Sequence, residues 1–253
     1  MTTFTPSPGA APLSKMVSAQ TSYEVRSLLR NGEQLLLTLI IPVVLLVLFS
    51  ATSLLDVGGG SRVDFLTPGI LALAVLSTAF TGQAIGTGFE RRYGVLKRLG
   101  ATPLPRSGLI LAKTLCVVLV EVLQAVVIVL VASALGWHPH GNPLSVLLFL
   151  LLGTAAFSGF GLLMAGTLRA EATLGAANLV YLLLLVLGGV VFPLTKFPAG
   201  VRSVLELLPI SALSDGLRQI LQHGMALPGG DLLVLAAWAI AALLLAARFF
   251  RWE

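Results

Sequence analysis

The chain has 253 residues, of which 57% are hydrophobic and 11% charged, with a formal net charge of +5 and one cysteine. Soluble domains carry about 25% charged residues, whereas apolar runs of about 20 residues, each long enough to cross a bilayer as a helix, recur here. The composition excludes an ordinary soluble domain and predicts an all-α polytopic membrane protein. The net charge is too small to favour nucleic acid as a partner, and a single cysteine excludes an internal disulfide.

The first residues of the chain precede a predicted surface helix. Residues 1–14 are rich in Pro, Thr and Ser and lack the basic start and apolar core of a signal peptide, so we predict a disordered tail. From Lys15 to Arg30, apolar residues recur at helical spacing among charged ones. This pattern predicts an amphipathic helix in the headgroup plane or, alternatively, a simple solvated helix. Asn31 and Gly32 then favour a helix end and a turn.

Six apolar segments are predicted to cross the membrane, and we number them spans 1 to 6: about residues 35–55, 66–89, 109–135, 144–168, 173–192 and 232–247. Span 2 is rich in Thr, Ser and Gly, so it is poor material for a lipid-facing helix. Its small-xxx-small pattern at residues 82–86 fits either close packing within the chain or a face for a second copy. Trp137 follows span 3 where an interfacial aromatic is expected.

Lys and Arg residues indicate the orientation of the chain. With the N-terminus inside, twelve of the sixteen lie on the inner side and four, Arg62, Lys196, Arg202 and Arg218, on the outer side. The positive-inside rule then places both termini in the cytoplasm. The segment 193–230, which is punctuated by prolines, is too broken to cross and predicts two short helices at or within the outer interface.

Polar side chains inside the spans are candidates for a substrate path or a subunit interface. Glu121 lies about midway along span 3, and Gln124 follows on the same helical face. Acidic residues at this depth usually face the bundle interior or a water-filled route. Two interpretations stay open for Glu121: a functional polar point, or a structural hydrogen bond to Gln124, to Gln83 of span 2 or to Asn178 of span 5.

Motifs for catalysis are missing from the sequence. The phosphate-binding pattern GxxxxGK[ST] does not occur, nor do HExxH or GxSxG. His138 and His140 are two ligands without a third, which is a weak basis for a metal site. We therefore predict no catalytic residue, no metal and no cofactor in this chain.

A basic loop between spans 2 and 3 is the most distinctive stretch. It runs from Glu90 to Arg106 and closes at Lys113, and it holds six of the sixteen Lys and Arg residues. An apolar stripe of Val95, Leu96 and Leu99 lies among these charges. The charge alone fits anchoring to anionic lipid. Glycines and prolines that shape the segment closely favour instead a short helix that docks against a partner protein.

This loop resembles the one between spans 2 and 3 of type-2 ABC exporter permeases, the daunorubicin-resistance permeases being the nearest kind. In that family the pattern forms a coupling helix that seats on the ATPase subunit. The residues that match, and to which the resemblance assigns ATPase coupling, are Glu90, Arg91, Arg92, Gly94, Leu96, Lys97, Arg98, Leu99, Gly100 and Pro103. Val95 departs from the pattern, since Thr or Leu is expected there.

A second stretch is similar to the outer re-entrant helices that this family has between spans 5 and 6. It contains Phe192, Pro193, Pro198 and Pro209. Together with the N-terminal amphipathic helix and the six-span layout, the resemblance covers residues 15–253 as a single type-2 transmembrane domain.

The resemblance implies a permease subunit of an ATP-driven exporter that moves an amphiphilic or hydrophobic substrate out across a bacterial plasma (inner) membrane. Six spans are half a transporter, so the implied partners are a second permease subunit, identical or paralogous, separate ABC ATP-binding subunits that hold ATP and Mg, and membrane lipids. A haem-type or other cofactor exporter of the same architecture is an alternative. A further alternative is an ion-coupled secondary transporter, which would need internal repeats and charged midplane sites. Another is an intramembrane enzyme, which would need His, Cys or paired carboxylates within spans.

Overall fold

A computed structural model describes residues 9–32, 36–52, 61–191 and 193–250. Within these ranges the regular structure is helical and contains no strand. The predicted all-α fold class is therefore confirmed for the described part of the chain. The start of the predicted tail, residues 1–8, lies outside it.

The described α-helices, in chain order, are α1 (Leu13–Arg30), α2 (Ile41–Ala51), α3 (Arg62–Val75), α4 (Gln83–Arg92), α5 (Val95–Gly100), α6 (Arg106–Ala134), α7 (Pro143–Thr167), α8 (Ala170–Leu187), α9 (Ala199–Leu205), α10 (Pro209–Leu221) and α11 (Gly229–Phe249). A π-helical segment, Leu36–Ile40, precedes α2, and another, Leu76–Gly82, joins α3 to α4. Leu194–Lys196 forms a 3-10 turn.

Five helices of the described residues are long and apolar enough to cross a membrane: Arg62–Arg92, Ser107–Ala134, Pro143–Thr167, Ala170–Leu187 and Gly229–Phe249. They correspond to predicted spans 2 to 6. The apolar helix Thr38–Ala51, in predicted span 1, is shorter. Residues 33–35 and 53–60 on either side of it lie outside the described residues, so the count of six stays a prediction.

The fifth predicted span is shorter than expected. Its helix, α8, ends at Leu187 because Gly188 closes it and Gly189 adopts a φ of +68°, a left-handed conformation that favours glycine. The prediction extended this span to residue 192, which is outside the described part. The pair Gly188 and Gly189 is a turn signal, but the apolar residues that follow it favoured the longer span.

Span 2 lies at the centre of the bundle. In its most apolar window 89% of the residues are buried, against 17–44% in the other four. The prediction that it is poor lipid-facing material is thus confirmed. Its small and hydroxyl side chains let neighbouring helices approach on all sides.

Small residues on α7 set its contacts with the rest of the bundle. A Cβ at Gly159 would lie 2.8 Å from the Ala242 Cβ of α11, and one at Gly161 would lie 2.9 Å from the Phe80 carbonyl oxygen of span 2. These positions therefore exclude a larger side chain, as in other close contacts between membrane helices. Gly86 differs, because among the described residues no atom beyond its chain neighbours and its own helical backbone lies within 4 Å of the Cβ it lacks.

Helix α1 packs along α6. Val17 and Thr21 are buried, and the Thr21 hydroxyl donates to the Ala112 carbonyl oxygen at 3.4 Å. The opposite face is exposed and carries Tyr23. The helix begins at Leu13, two residues before the predicted start, and ends at Arg30, next to the predicted stop at Asn31.

The ends of the bundle differ in charge. We call the end that holds the loop between α4 and α6 and the turn between α7 and α8 the basic end, since Arg91, Lys97 and Arg169 lie there. The other is the far end. Two short helices, α9 and α10, lie in the segment between spans 5 and 6, with Pro198 just before the first and Pro209 at the start of the second. Their re-entrant placement in a bilayer stays a prediction.

Candidate functional site: the basic end of the bundle

The loop between spans 2 and 3 is a compact helical element. Helix α4 ends at Arg92, and Gly94 then takes a φ of +68°, which turns the chain into α5. The Thr102 hydroxyl donates to the Leu99 carbonyl oxygen at 2.6 Å and closes the end of α5. The chain then passes Pro105 into α6. Glycine and proline therefore stand where the backbone changes direction.

The basic side chains of α5 and the turns beside it point away from the bundle. Arg92, Lys97, Arg98, Gly100 and Pro103 are all exposed. The Arg98 guanidinium donates to the Tyr93 carbonyl oxygen at 3.0 Å, which holds it on the surface of the element. These residues form a cationic face at the basic end.

Leu96 anchors α5 to the bundle. It is only 3% exposed, and Leu99 is half-buried. The apolar stripe of Val95, Leu96 and Leu99 therefore faces the bundle at Leu96. Since α5 is amphipathic, the same turn that buries Leu96 exposes Lys97 and Arg98.

Glu90 belongs to a buried ionic cluster rather than to the cationic face. The Lys113 ammonium donates to Glu90 Oε1 at 2.9 Å and to Glu24 Oε1 at 3.1 Å. The Lys113 side chain is 10% exposed, Glu24 15% and Glu90 25%. One ammonium group thus joins α1, α4 and α6 where the spans leave the membrane core.

Arg91 and Arg92 hold the neighbouring turn. The Arg91 guanidinium donates to the carbonyl oxygens of Gly166 at 2.6 Å and Leu168 at 2.5 Å. It therefore satisfies carbonyls at the C-terminus of α7, where a cation is favoured. Arg92 forms an exposed ion pair with Glu171 of α8.

The polar residues of span 3 connect the middle of the bundle. Thr154 of α7 donates to Glu121 Oε2 at 2.5 Å. Thr78 of span 2 donates to Gln124 Oε1 at 3.0 Å, and the Gln124 amide donates to the Thr38 carbonyl oxygen at 2.5 Å. Glu121 and Gln124 are both buried, so they join span 3 to three other helical segments.

The predicted partners of Glu121 are wrong. Its bonded side chain is Thr154, and not Gln124, Gln83 or Asn178. Asn178 is exposed on α8, away from the buried polar groups. Gln83 is buried in span 2, and neither of its amide atoms has a hydrogen-bond partner among the described residues. The four candidates for a polar path therefore do not form one cluster.

Arg218 of α10 is a structural residue that sequence reasoning missed. It is buried, and its guanidinium donates to the carbonyl oxygens of Gly189 at 2.6 Å, Val190 at 3.0 Å and Phe65 at 3.3 Å. It also pairs with Asp215 at 2.7 Å. Sequence position alone marks it as one more charge on the outer side, whereas it binds α10 to the start of span 2 and the end of span 5.

Charge and burial oppose each other in this pair. Burial raises the pKa of the Asp215 carboxyl, and the neighbouring Arg218 guanidinium acts in the other direction. Burial lowers the pKa of Arg218, against the effect of Asp215. Arg218 stays protonated, as arginine does in proteins, and its guanidinium favours the ionised form of the partly buried Asp215.

Pro193, Pro198 and Pro209 lie in the segment between spans 5 and 6, and their assignment to outer re-entrant helices stays a prediction. Phe192 lies outside the described residues. The described residues also hold no group of three or more His, Cys, Asp or Glu side chains that could bind a metal ion.

Comparison with known proteins agrees with this architecture. The family model for the ABC-2 type transporter matches residues 17–221, which is most of the chain. No curated protein matches the sequence of this chain. The match takes in α1, the loop with α5, and the helices up to α10. On this match, the chain belongs to the ABC-2 type transporter family.

Proposed function

We propose that this chain is the membrane subunit of an ATP-driven exporter of the daunorubicin-resistance kind, which moves an amphiphilic substrate out of the cell. ABC-2 membrane domains are permeases rather than ATPases, and they generally pair with ATP-binding subunits. The exporter direction, the amphiphilic substrate and the bacterial inner membrane are our proposal. So is the pairing of two permease subunits.

The cationic face of α5 is the observation that supports the proposal. Arg92, Lys97 and Arg98 are exposed, while Leu96 and the Glu24–Lys113–Glu90 cluster fix the element to α1 and to spans 2 and 3. A load applied to α5 therefore reaches several helices at once. This is the arrangement that a docking surface needs if a partner is to shift the bundle between two states.

Charge asymmetry supports the orientation. The basic end carries Lys15, Arg26 and Arg30 of α1, all exposed, in addition to the face on α5. By the positive-inside rule the basic end lies in the cytoplasm, where ATP-binding subunits operate. The far end, with α9 and α10, then faces outward.

Docking is tested by reversing the charge of the face. We expect the triple variant Arg92→Glu, Lys97→Glu, Arg98→Glu to insert normally but to lose co-purification with the ATP-binding subunit. A matched control reverses three exposed charges on α1, with Lys15→Glu, Arg26→Glu and Arg30→Glu. Normal co-purification of the first variant, or equal loss in both, would overturn the docking assignment.

Transport is tested in inverted membrane vesicles, with daunorubicin as the fluorescent probe. We expect ATP-dependent uptake when the chain and the ATP-binding subunit are present together. The α5 triple variant is expected to abolish uptake, and its α1 control to retain it. Uptake driven by an ion gradient without ATP would instead indicate a secondary transporter.

A further inference from the structure

Two adjoining cavities lie near the basic end. The first, of about 330 Å³, is lined mainly by apolar side chains, among them Leu96, Leu109, Leu162 and Ala246. The second, of about 200 Å³, is lined by polar groups that include Glu24 and Glu90. Taken together, the two volumes are typical of a site for a small ligand.

The cavities share part of their lining. Gln83, Thr87 and Lys113 line both of them. The cavities therefore adjoin at these three side chains, so a molecule with its apolar chain in the first cavity would have its polar head next to the second.

Gln83 indicates that the site takes a ligand. It is 7% exposed, and both atoms of its amide are buried without a hydrogen-bond partner in the described part of the chain. Buried polar groups are nearly always hydrogen-bonded, because leaving an amide unpaired is unfavourable. The amide offers one acceptor oxygen and a donor nitrogen, so its missing partner has both a donor and an acceptor.

Charge in the polar cavity selects the sign of the head. Two carboxylates, Glu24 and Glu90, face one ammonium group, that of Lys113. With both carboxylates ionised the cluster has one excess negative charge, which favours a cationic head and disfavours an anionic one.

The apolar cavity opens towards lipid. Ile110 of α6 is 44% exposed and Leu243 of α11 is 46% exposed, and both line the cavity. These two helices belong to membrane spans, so their exposed apolar faces lie against acyl chains. The apolar tail of an amphiphile can enter the cavity between these two helices from the bilayer.

We propose that the two cavities together bind one single-chain amphiphile whose head carries an ammonium group and a hydroxyl. The chain lies against Leu96, Leu109 and Ala246. The ammonium group lies near Glu24 and Glu90 and donates to Gln83 Oε1, and the hydroxyl accepts from Gln83 Nε2. The proposal deepens the proposed function by naming the ligand class, and it rests on that function only in placing the site in the cytoplasmic leaflet.

Binding is tested on the purified full chain in phosphatidylcholine nanodiscs. The probe is 2-aminododecan-1-ol with a diazirine in its chain, and peptide mass spectrometry locates its adducts. We expect adducts at Ile110, Leu243 and Ala246, suppressed by excess unlabelled 2-aminododecan-1-ol but not by the same concentration of dodecyl sulfate. Adducts spread over lipid-facing residues such as Leu130 and Leu244, or equal competition by dodecyl sulfate, would overturn the site.

Two variants separate binding from folding. Gln83→Leu removes both unpaired atoms at similar volume, so we expect labelling to fall about tenfold while the unliganded chain melts at or above the wild-type temperature. Thr81→Val is the control, since the Thr81 hydroxyl is also buried without a partner in the described residues but lines neither cavity. Unchanged labelling of Gln83→Leu, or an equal fall in Thr81→Val, contradicts the proposal.

A third variant tests the apolar cavity, where the apolar chain of the ligand is placed. Ala246→Leu narrows the apolar cavity and leaves Gln83 in place, so labelling is expected to fall with it as well. Because these measurements need neither ATP nor a partner subunit, labelling that persists while uptake fails would refute the exporter and leave the binding site standing. Loss of labelling with intact uptake would refute the binding site and leave the exporter standing.

Discussion

Lys113 and Glu90, which lie on different spans, are joined by a hydrogen bond of 2.9 Å beneath the exposed face of α5. Glu24 of α1 accepts a second bond from the same ammonium group at 3.1 Å. The three side chains are mostly buried, so the element that carries the cationic face is fixed from within. A glutamate that resembles a docking residue in sequence is here part of the framework under the cationic face that we propose for docking.

Replacing Lys113 by Met is expected to destabilise the chain by about 3 kcal/mol, because two largely buried carboxylates lose their cation. The midpoint of thermal unfolding in detergent measures the loss. Lys97→Met is the control on the same loop, and its exposed side chain should change stability by no more than about 0.5 kcal/mol. Similar melting of the two variants would show that the cluster contributes little.

Replacing Arg91 by Met is expected to loosen the turn between α7 and α8. Two charge-assisted hydrogen bonds to the Gly166 and Leu168 carbonyl oxygens are lost, each worth about 1.5 to 3 kcal/mol. Hydrogen exchange of the amides at residues 168–173 should accelerate by at least about tenfold. In Arg92→Met, whose ion pair with Glu171 is exposed, exchange should stay near the wild-type rate; equal acceleration there argues against a capping role for Arg91.

Replacing Arg218 by Met is expected to cost about 1.5 to 3 kcal/mol, because three carbonyl oxygens lose a charged donor and the partly buried Asp215 loses its cation. The same measurement on Arg202→Met should show a change of about 0.5 kcal/mol or less, since its pair with Glu206 is exposed. A far end that tolerates Arg218→Met would mean that α10 is held by apolar packing alone.

Two glycines of span 2 are expected to respond in opposite directions to substitution by Ala. A Cβ at Gly69 would overlap the Val190 carbonyl oxygen, so Gly69→Ala should destabilise by about 1 to 3 kcal/mol. Gly86 has open space around it among the described residues, so Gly86→Ala should gain about 0.5 to 1 kcal/mol from helix propensity. Thermal unfolding at low protein concentration measures both. A destabilised Gly86→Ala chain would place a packing partner on that face.

Much of the helical framework follows from the sequence, because apolar length, Gly and Pro are local signals. The turn at Gly94 and the helix starts at Pro143 and Pro209 are of this kind. The basic character of the α5 loop is local as well. Its charge is visible in the chain, and so is its resemblance to a known family.

The pairing of side chains across helices does not follow from the sequence. Glu121 and Gln124 share a helical face, which favoured a contact between them, yet each binds a different neighbouring helix. Asn178 is polar and lies in a span, which favoured an inward position, yet it faces outward. Period and composition define the faces of a helix, whereas the partner of each face depends on how distant segments pack.

Arg218 illustrates the same limit in charge counting. Its sign and position assign it to the outer group of cations, and nothing near it in sequence indicates burial. Three of its acceptors are the carbonyl oxygens of Phe65, Gly189 and Val190, which come within reach only because α10 packs against the start of span 2 and the end of span 5. Such acceptors are invisible in side-chain patterns.

The contact between Gly159 and Ala242 constrains how the family can vary. A methyl group at position 159 would meet the Ala242 Cβ and carbonyl carbon, both at 2.8 Å, and the Leu243 backbone nitrogen at 2.9 Å, so the backbone of α11 itself excludes a side chain there. A homologue that keeps this contact is expected to carry Gly at the first site whatever residue stands at the second. An unvarying glycine in span 4 would therefore be an independent way to recognise the same helix pair in distant sequences.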